Sequence, residues 1–321
     1  NNGIIKNFDY DAIITGTSMT ENFKTSEMDR LFNCNAIKVP FSGASFKELN
    51  DNLQLALETH PNIKYIIRCL YPNSLVVDKN AMRDDLGEYP EYLYDKNPFN
   101  DIEYLLNRDV LYNRIYHMTL DRTVGEKVGI TSFDDYSNWS HRYKFGPEAV
   151  IKSSFGNKER KFSEPDHIEA LADNEKEIIR ETVEQNIVKI ATEHPDTNFY
   201  YFLPPYSPIY WGFHKQNGTL KKQIEIEKYA LSLIVPYKNI HMFGWDRFDI
   251  FDDLNNYKDL THYGEWVNSW MLYQMSQGNG RLDESNYKNY MDSLYNHYVN
   301  LDYNAVFSQI DNDDDFEIAR K

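Results

Sequence analysis

The chain has 321 residues, a formal net charge of -16, 41% hydrophobic and 15% aromatic content. A chain of that length and apolar content can bury a substantial core, so intrinsic disorder is excluded. No run reaches the ~18 apolar residues of a membrane span. The acidic balance excludes a duplex nucleic-acid partner, which calls for clustered Lys and Arg.

The chain opens at Asn1 rather than Met, which is expected of a processed form. The first strand is expected at 10–16 (YDAIITG), running into Gly16-Thr17-Ser18-Met19-Thr20. A Gly followed by Ser where a strand meets a helix can present a hydroxyl and aim backbone N–H groups at a neighbouring oxyanion. The same residue types also serve as a plain helix cap. Further strands are expected at 36–41 (AIKVPF), 65–71 (YIIRCLY), 198–204 (NFYYFLP) and 239–245 (NIHMFGW).

Helical spacing of apolar residues marks 45–59, 166–194, 220–235 and 265–275. In the second of these, Ser163-Glu164-Pro165-Asp166 has the composition of a capped start. Five apolar strands without strict alternation, separated by amphipathic helices, predict an α/β fold with a parallel sheet covered on both faces. Between 74 and 165 the chain is rich in Tyr, Asn, Asp and Arg and carries no convincing strand. It reads as a cap of helices and loops over the strand ends, with 99–119 as its main helix. The chain is therefore expected to form one domain with this insertion and an acidic, solvated tail at 311–321.

Asp259-Leu260-Thr261-His262 follows the last strand. An Asp three residues before a His can fix the imidazole tautomer and support its protonated form. Cys34 and Cys69 have no metal or redox spacing, and Cys69 reads as a buried thiol. The nine histidines show neither HxH nor HExxH, so no metal and no cofactor is expected.

GTSMT after the first strand and DLTH before the last expected helix resemble blocks I and V of the SGNH (GDSL-like) hydrolase superfamily. The resemblance implies a three-layer α/β/α sandwich with a five-stranded parallel sheet. It also implies Ser18 as nucleophile, His262 as general base and Asp259 as triad acid. Gly43 in PFSGAS matches the block II glycine, so the oxyanion hole would combine Ser18, Gly43 and a block III donor. Thr17 stands where the family has Asp, and the family's GxND is missing. Asn73 is the positional candidate for block III, with Arg68 and Tyr71 as alternatives at the same strand end.

Residues 11–23 and Pro204-Pro205-Tyr206-Ser207-Pro208 are similar to extracytoplasmic, membrane-tethered SGNH proteins of Gram-positive bacteria. Those proteins resemble the D-alanyl-lipoteichoic acid transfer protein and the partners of membrane-bound O-acyltransferases. The implied function is O-acyl transfer or O-acyl ester hydrolysis on a cell-surface polysaccharide or cell-wall polymer. An N-terminal anchor outside this chain and a membrane-bound O-acyltransferase partner are implied with it. Tyr206, Ser207, Tyr210 and Trp211 are the expected acceptor-binding residues, since aromatic rings stack on sugars. An inactive glycan-binding module and a secreted esterase of small esters remain open as alternatives. The net charge favours a neutral or cationic acceptor unless Arg108, Arg114, Arg122 and Lys127 offset it locally.

Overall fold

The computed structural model describes residues 1–83, 92, 97, 99–100, 102–125 and 129–310. Its centre is a six-stranded sheet in the order β2-β1-β3-β4-β5-β6. The strands are β1 (Ala12–Gly16), β2 (Ala36–Pro40), β3 (Tyr65–Cys69), β4 (Asn198–Phe202), β5 (Ile240–Phe243) and β6 (Arg281–Leu282). The first five pair in parallel, with Ile13 opposite Ile37 on one side and Ile66 on the other. β1 and β2 are buried at every position, which is why their sequences read as continuous apolar runs rather than alternating ones.

All five expected strands form, each a residue or more shorter than its apolar run. The sixth, β6, pairs antiparallel with β5. At two residues it is too short to leave a periodic signal.

Connections between parallel strands are right-handed. The β1–β2 connection therefore covers one face, and those from β2 to β3, β3 to β4 and β4 to β5 cover the other. Helix Thr25–Phe32 packs with Glu265–Gln277, while Leu220–Ile234 packs with Asp173–Val183 and Tyr287–Asn300. Adjacent β1 and β3 thus send their chains in opposite directions along the sheet. The crevice outside their carboxyl ends is the switch point where open α/β sheets bind ligands.

Local chemistry explains where the helices start. Ser45 caps Phe46–Thr59: its hydroxyl accepts from Glu48 N at 3.2 Å, and Glu48 accepts from Ser45 N at 2.8 Å. Residues 166–172, expected to be helical, are not. The helix begins at Asp173, where the Glu175 carboxylate accepts from Ala172 N at 3.0 Å. Ile168, counted in the apolar stripe, is 65% exposed.

Among the described residues of 74–165 there is no strand. The expected helix appears as Ile102–Leu105, a π-type stretch Asp109–Tyr116, and His117–Thr123, with its side chains mostly exposed. Arg108, Arg114 and Arg122 lie on this segment, while Lys127 and the acidic tail 311–321 lie outside the described residues. No helix among the described residues is long and apolar enough to cross a membrane.

Candidate active site

The Ser18 loop is built by a glycine. Gly16 closes β1 at φ +141°, and a Cβ there would lie 2.8 Å from Thr20 Cγ2. Only Gly allows this turn, which drops the chain into the short 3-10 turn Ser18–Thr20. Thr20 secures that turn by donating its hydroxyl to Thr17 O at 2.9 Å. Ser18, half-buried, sits at the carboxyl end of β1.

Deeper supports hold the rest of the loop. Asn268 Nδ2 donates to Met19 O at 3.0 Å. Lys38, fully buried on β2, donates Nζ to Glu21 O at 2.6 Å and to Phe23 O at 2.9 Å. Burial pushes this ammonium down to about 8, and the surrounding carboxylates oppose that shift.

Asp259 and His262 arrive from the far side of the sheet. β5 lies three positions from β1, about 14 Å at ~4.8 Å per strand. The DLTH segment is a tight loop flanked by a Tyr257–Tyr263 antiparallel bridge. Lys258 N donates to His262 O at 3.0 Å. Asp259 Oδ1 accepts from Thr261 N at 3.0 Å and His262 N at 2.9 Å. An Asp that bonds the backbone ahead of it favours a turn over a helix, and the helix waits until Glu265.

The two loops meet. Ser18 Oγ lies 2.8 Å from His262 Nε2. His262 Nδ1 lies 2.9 Å and 3.0 Å from the two oxygens of Asp259. An ionised carboxylate only accepts, so the imidazole proton sits on Nδ1 and Nε2 is left to accept from the Ser18 hydroxyl. Burial acts to raise the Asp259 carboxyl, but His262, Lys258 and the backbone N–H of His262 outweigh it. The net effect holds the group well below the usual carboxylate range.

Gly43 follows β2 in a left-handed turn at φ +71°, with the Arg83 guanidinium packed 3.3 Å from where a Cβ would stand. Phe41 N donates to Gly16 O at 2.8 Å, tying the Gly43 loop to the end of β1. Ser42 Oγ donates to Glu21, and Arg83 donates to Ser42 O. Among the described residues, neither Ser18 N–H nor Gly43 N–H has a protein acceptor.

The other expected site residues lie apart from the Ser18–His262 contact. Asn73 is exposed, and its Nδ2 donates to the Tyr71 hydroxyl at 3.1 Å. Arg68, its alternative, is fully buried and donates to Asn186 O at 2.8 Å.

Tyr206, Tyr210 and Trp211 offer no sugar-stacking surface, being 1%, 8% and 3% exposed. Their rings pack on one another and on Tyr298 because Pro208–Gln216 is an interior helix. Ser207 is fully buried as that helix's cap. Its hydroxyl donates to Leu260 O at 2.8 Å, so it holds the Asp259–His262 loop from behind.

The aromatic residues beside the triad come from elsewhere. Trp139 Nε1 donates to Ser18 O at 3.3 Å, and its ring meets His262 edge-on at 5.4 Å. Phe145 stacks on Trp139 and contacts Trp266, while Tyr143 packs against Trp139. Tyr143 and Trp266 are 55% and 43% exposed. These belong to the end of the insertion and to the first turn of Glu265–Gln277, where WSHRYKF carried an aromatic signal but no spacing that tied it to the triad.

Among the described residues no group of three or more His, Cys, Asp or Glu could hold a metal ion. Cys34 and Cys69 are both free, with Cys69 buried. The chain matches no protein-family model, no curated protein and no solved structure.

Proposed function

We propose that the protein is a serine-dependent acyl-transfer enzyme. One observation carries this reading: Ser18, His262 and Asp259 form an unbroken hydrogen-bonded relay at the sheet's switch point. The α/β fold with helices on both faces is compatible with the three-layer sandwich of SGNH hydrolases, and the GTSMT and DLTH segments resemble that superfamily's blocks.

In this mechanism His262 Nε2 takes the Ser18 proton as Oγ bonds to an acyl carbonyl carbon. The imidazolium is supported by Asp259. The N–H groups of Ser18 and Gly43, which have no acceptor among the described residues, receive the oxyanion; one such donor is typically worth about 3–4 kcal/mol. On collapse the bond to the leaving oxygen breaks, and that oxygen takes the proton from His262. Water or a second hydroxyl, deprotonated by the same imidazole, then attacks the acyl-serine and releases Ser18. Ser18 is half-buried, and the rings of Tyr143 and Trp266 near it are exposed.

We propose a cell-surface polysaccharide or cell-wall polymer as acceptor, with transfer or hydrolysis decided by whether its hydroxyl displaces water. An extracytoplasmic, membrane-anchored setting beside a membrane-bound O-acyltransferase belongs to the same proposal. Turnover of p-nitrophenyl acetate tests the chemistry. Wild type is expected to release nitrophenol and Ser18→Ala to lose nearly all of that rate; equal rates would rule the reading out.

A further inference from the structure

Asp259 has a second partner besides the imidazole, and this one is a cation. Lys258 Nζ donates to Asp259 Oδ2 at 2.7 Å, and its side chain is only 15% exposed. The ammonium is also held against two rings, 5.0 Å from the centre of Trp139 and 4.5 Å from that of Tyr143. Trp139 is the residue that bonds Ser18 O and meets His262 edge-on. Lys258 is therefore built into the relay.

We propose that Lys258 sets the basicity of His262, acting as a positioning residue through Asp259. The inference rests on the acyl-transfer reading of this site and deepens it. A carboxylate shared between an ammonium and an imidazole supports the imidazolium less than one that faces the imidazole alone. The ammonium also repels the imidazolium directly. Both effects keep His262 neutral, hence able to accept the Ser18 proton, at lower pH than an Asp–His pair alone would allow. The aromatic clamp keeps the charge close and partly dry, where it is screened least.

Other charges near this corner are already engaged. Glu265, at the start of its helix, pairs with Lys24 at 3.5 Å and accepts from Asn138 at 3.0 Å. On the nucleophile loop, Glu21 accepts from Ser42. Tyr143 presents its ring to Lys258, and the tyrosines flanking the loop, Tyr257 and Tyr263, are buried and neutral, with burial raising both well above the usual phenol value.

The test is the imidazole titration of His262, followed by its NMR ring-proton shifts and assigned by their loss in His262→Gln. Lys258→Met is expected to raise the His262 pKa by about one unit, as neighbouring charges typically do. The acid limb of fluorophosphonate labelling should then move to higher pH by the same amount, while Lys258→Arg, which keeps the charge, leaves both near wild type. Lys258→Gln repeats the neutral substitution should the Met variant fail to fold. An unchanged His262 titration in a folded neutral variant overturns the proposal, even if the overall rate falls, because a purely structural role lowers rate without moving the pKa. If Ser18 is never labelled while the imidazole titration still shifts, the coupling stands and the acyl-transfer reading falls.

Discussion

At Asp259 one carboxylate both shapes the backbone and supports the imidazole. Two of its bonds come from N–H groups of its own loop and one from the Thr261 hydroxyl, and the others join it to the His262 imidazole and Lys258. Asp259→Asn should therefore cost in two ways: it admits the wrong imidazole tautomer and it loosens the turn. Esterase turnover should fall by about 10³- to 10⁴-fold, and a loss under tenfold would mean the carboxylate has no part in the relay.

The same group links stability to pH. Its folded-state pKa is depressed, so its stabilisation is present above the unfolded value near ~3.9 and is lost as pH falls below that. Thermal melts at stepwise lower pH should show a steeper loss below pH ~4 for wild type than for Asp259→Asn. At Gly43, alanine meets both a left-handed backbone and the Arg83 guanidinium. Gly43→Ala should lower kcat about a hundredfold with little change in KM, as expected for a donor used only in the transition state.

Among the elements, the helix Leu220–Ile234 carries Glu227, buried to 2% exposure with Gln223 as its hydrogen-bond donor at 3.1 Å. Burial pushes its carboxyl up to about 7, with the Gln223 bond opposing that rise only in part. A raised carboxyl pKa means the unfolded chain ionises first, so stability falls as pH climbs from about 4.3 through 7. Glu227→Gln keeps an acceptor for Gln223 and removes the ionisation. Its melting temperature should exceed wild type's at pH 8 and converge with it at pH 5; the same gap at both would place the effect in packing instead of charge.

The insertion divides by element too. Its helical part, Ile102–Leu105 through His117–Thr123, stays largely exposed, whereas residues 134–145 clasp the nucleophile loop. Asp134 accepts from Ser26 N at 3.0 Å, and Asn22 accepts from Trp139 N at 3.1 Å. Sequence periodicity identified the helix but carried no sign of the clasp, because its contacts are single side-chain bonds to distant residues.

Over the whole molecule, the sheet was legible because buried parallel strands leave mostly apolar runs without strict alternation, as β1 and β2 do, interrupted only by Thr15 and Lys38. Ser18, Asp259 and His262 were singled out by a strand-end serine, an Asp three residues before a His, and the resemblance of both segments to SGNH blocks; the structure brings the three within hydrogen-bond distance. What joins them was not legible. They come together because a connection reaches across about three strands, and only the tertiary fold shows that. Tyr206, Tyr210 and Trp211 misled because aromatic residues after a strand look alike in sequence whether they face solvent or fill a core. Trp139 was missed because its contacts with Ser18 and His262 span more than 100 residues, and Lys258 because the rings that hold it, Trp139 and Tyr143, lie equally far back in the chain. The net charge of -16 describes the molecule's total, whereas the charge nearest the triad acid is the Lys258 ammonium.

Covalent capture of Ser18 by a fluorophosphonate, mapped by peptide mass spectrometry, is the most direct measurement. Wild type should carry one adduct, on Ser18, and both Ser18→Ala and His262→Ala should carry none. Wild-type protein left unlabelled where a control serine hydrolase reacts, or labelled at another serine, would contradict a Ser18–His262–Asp259 acyl-transfer site.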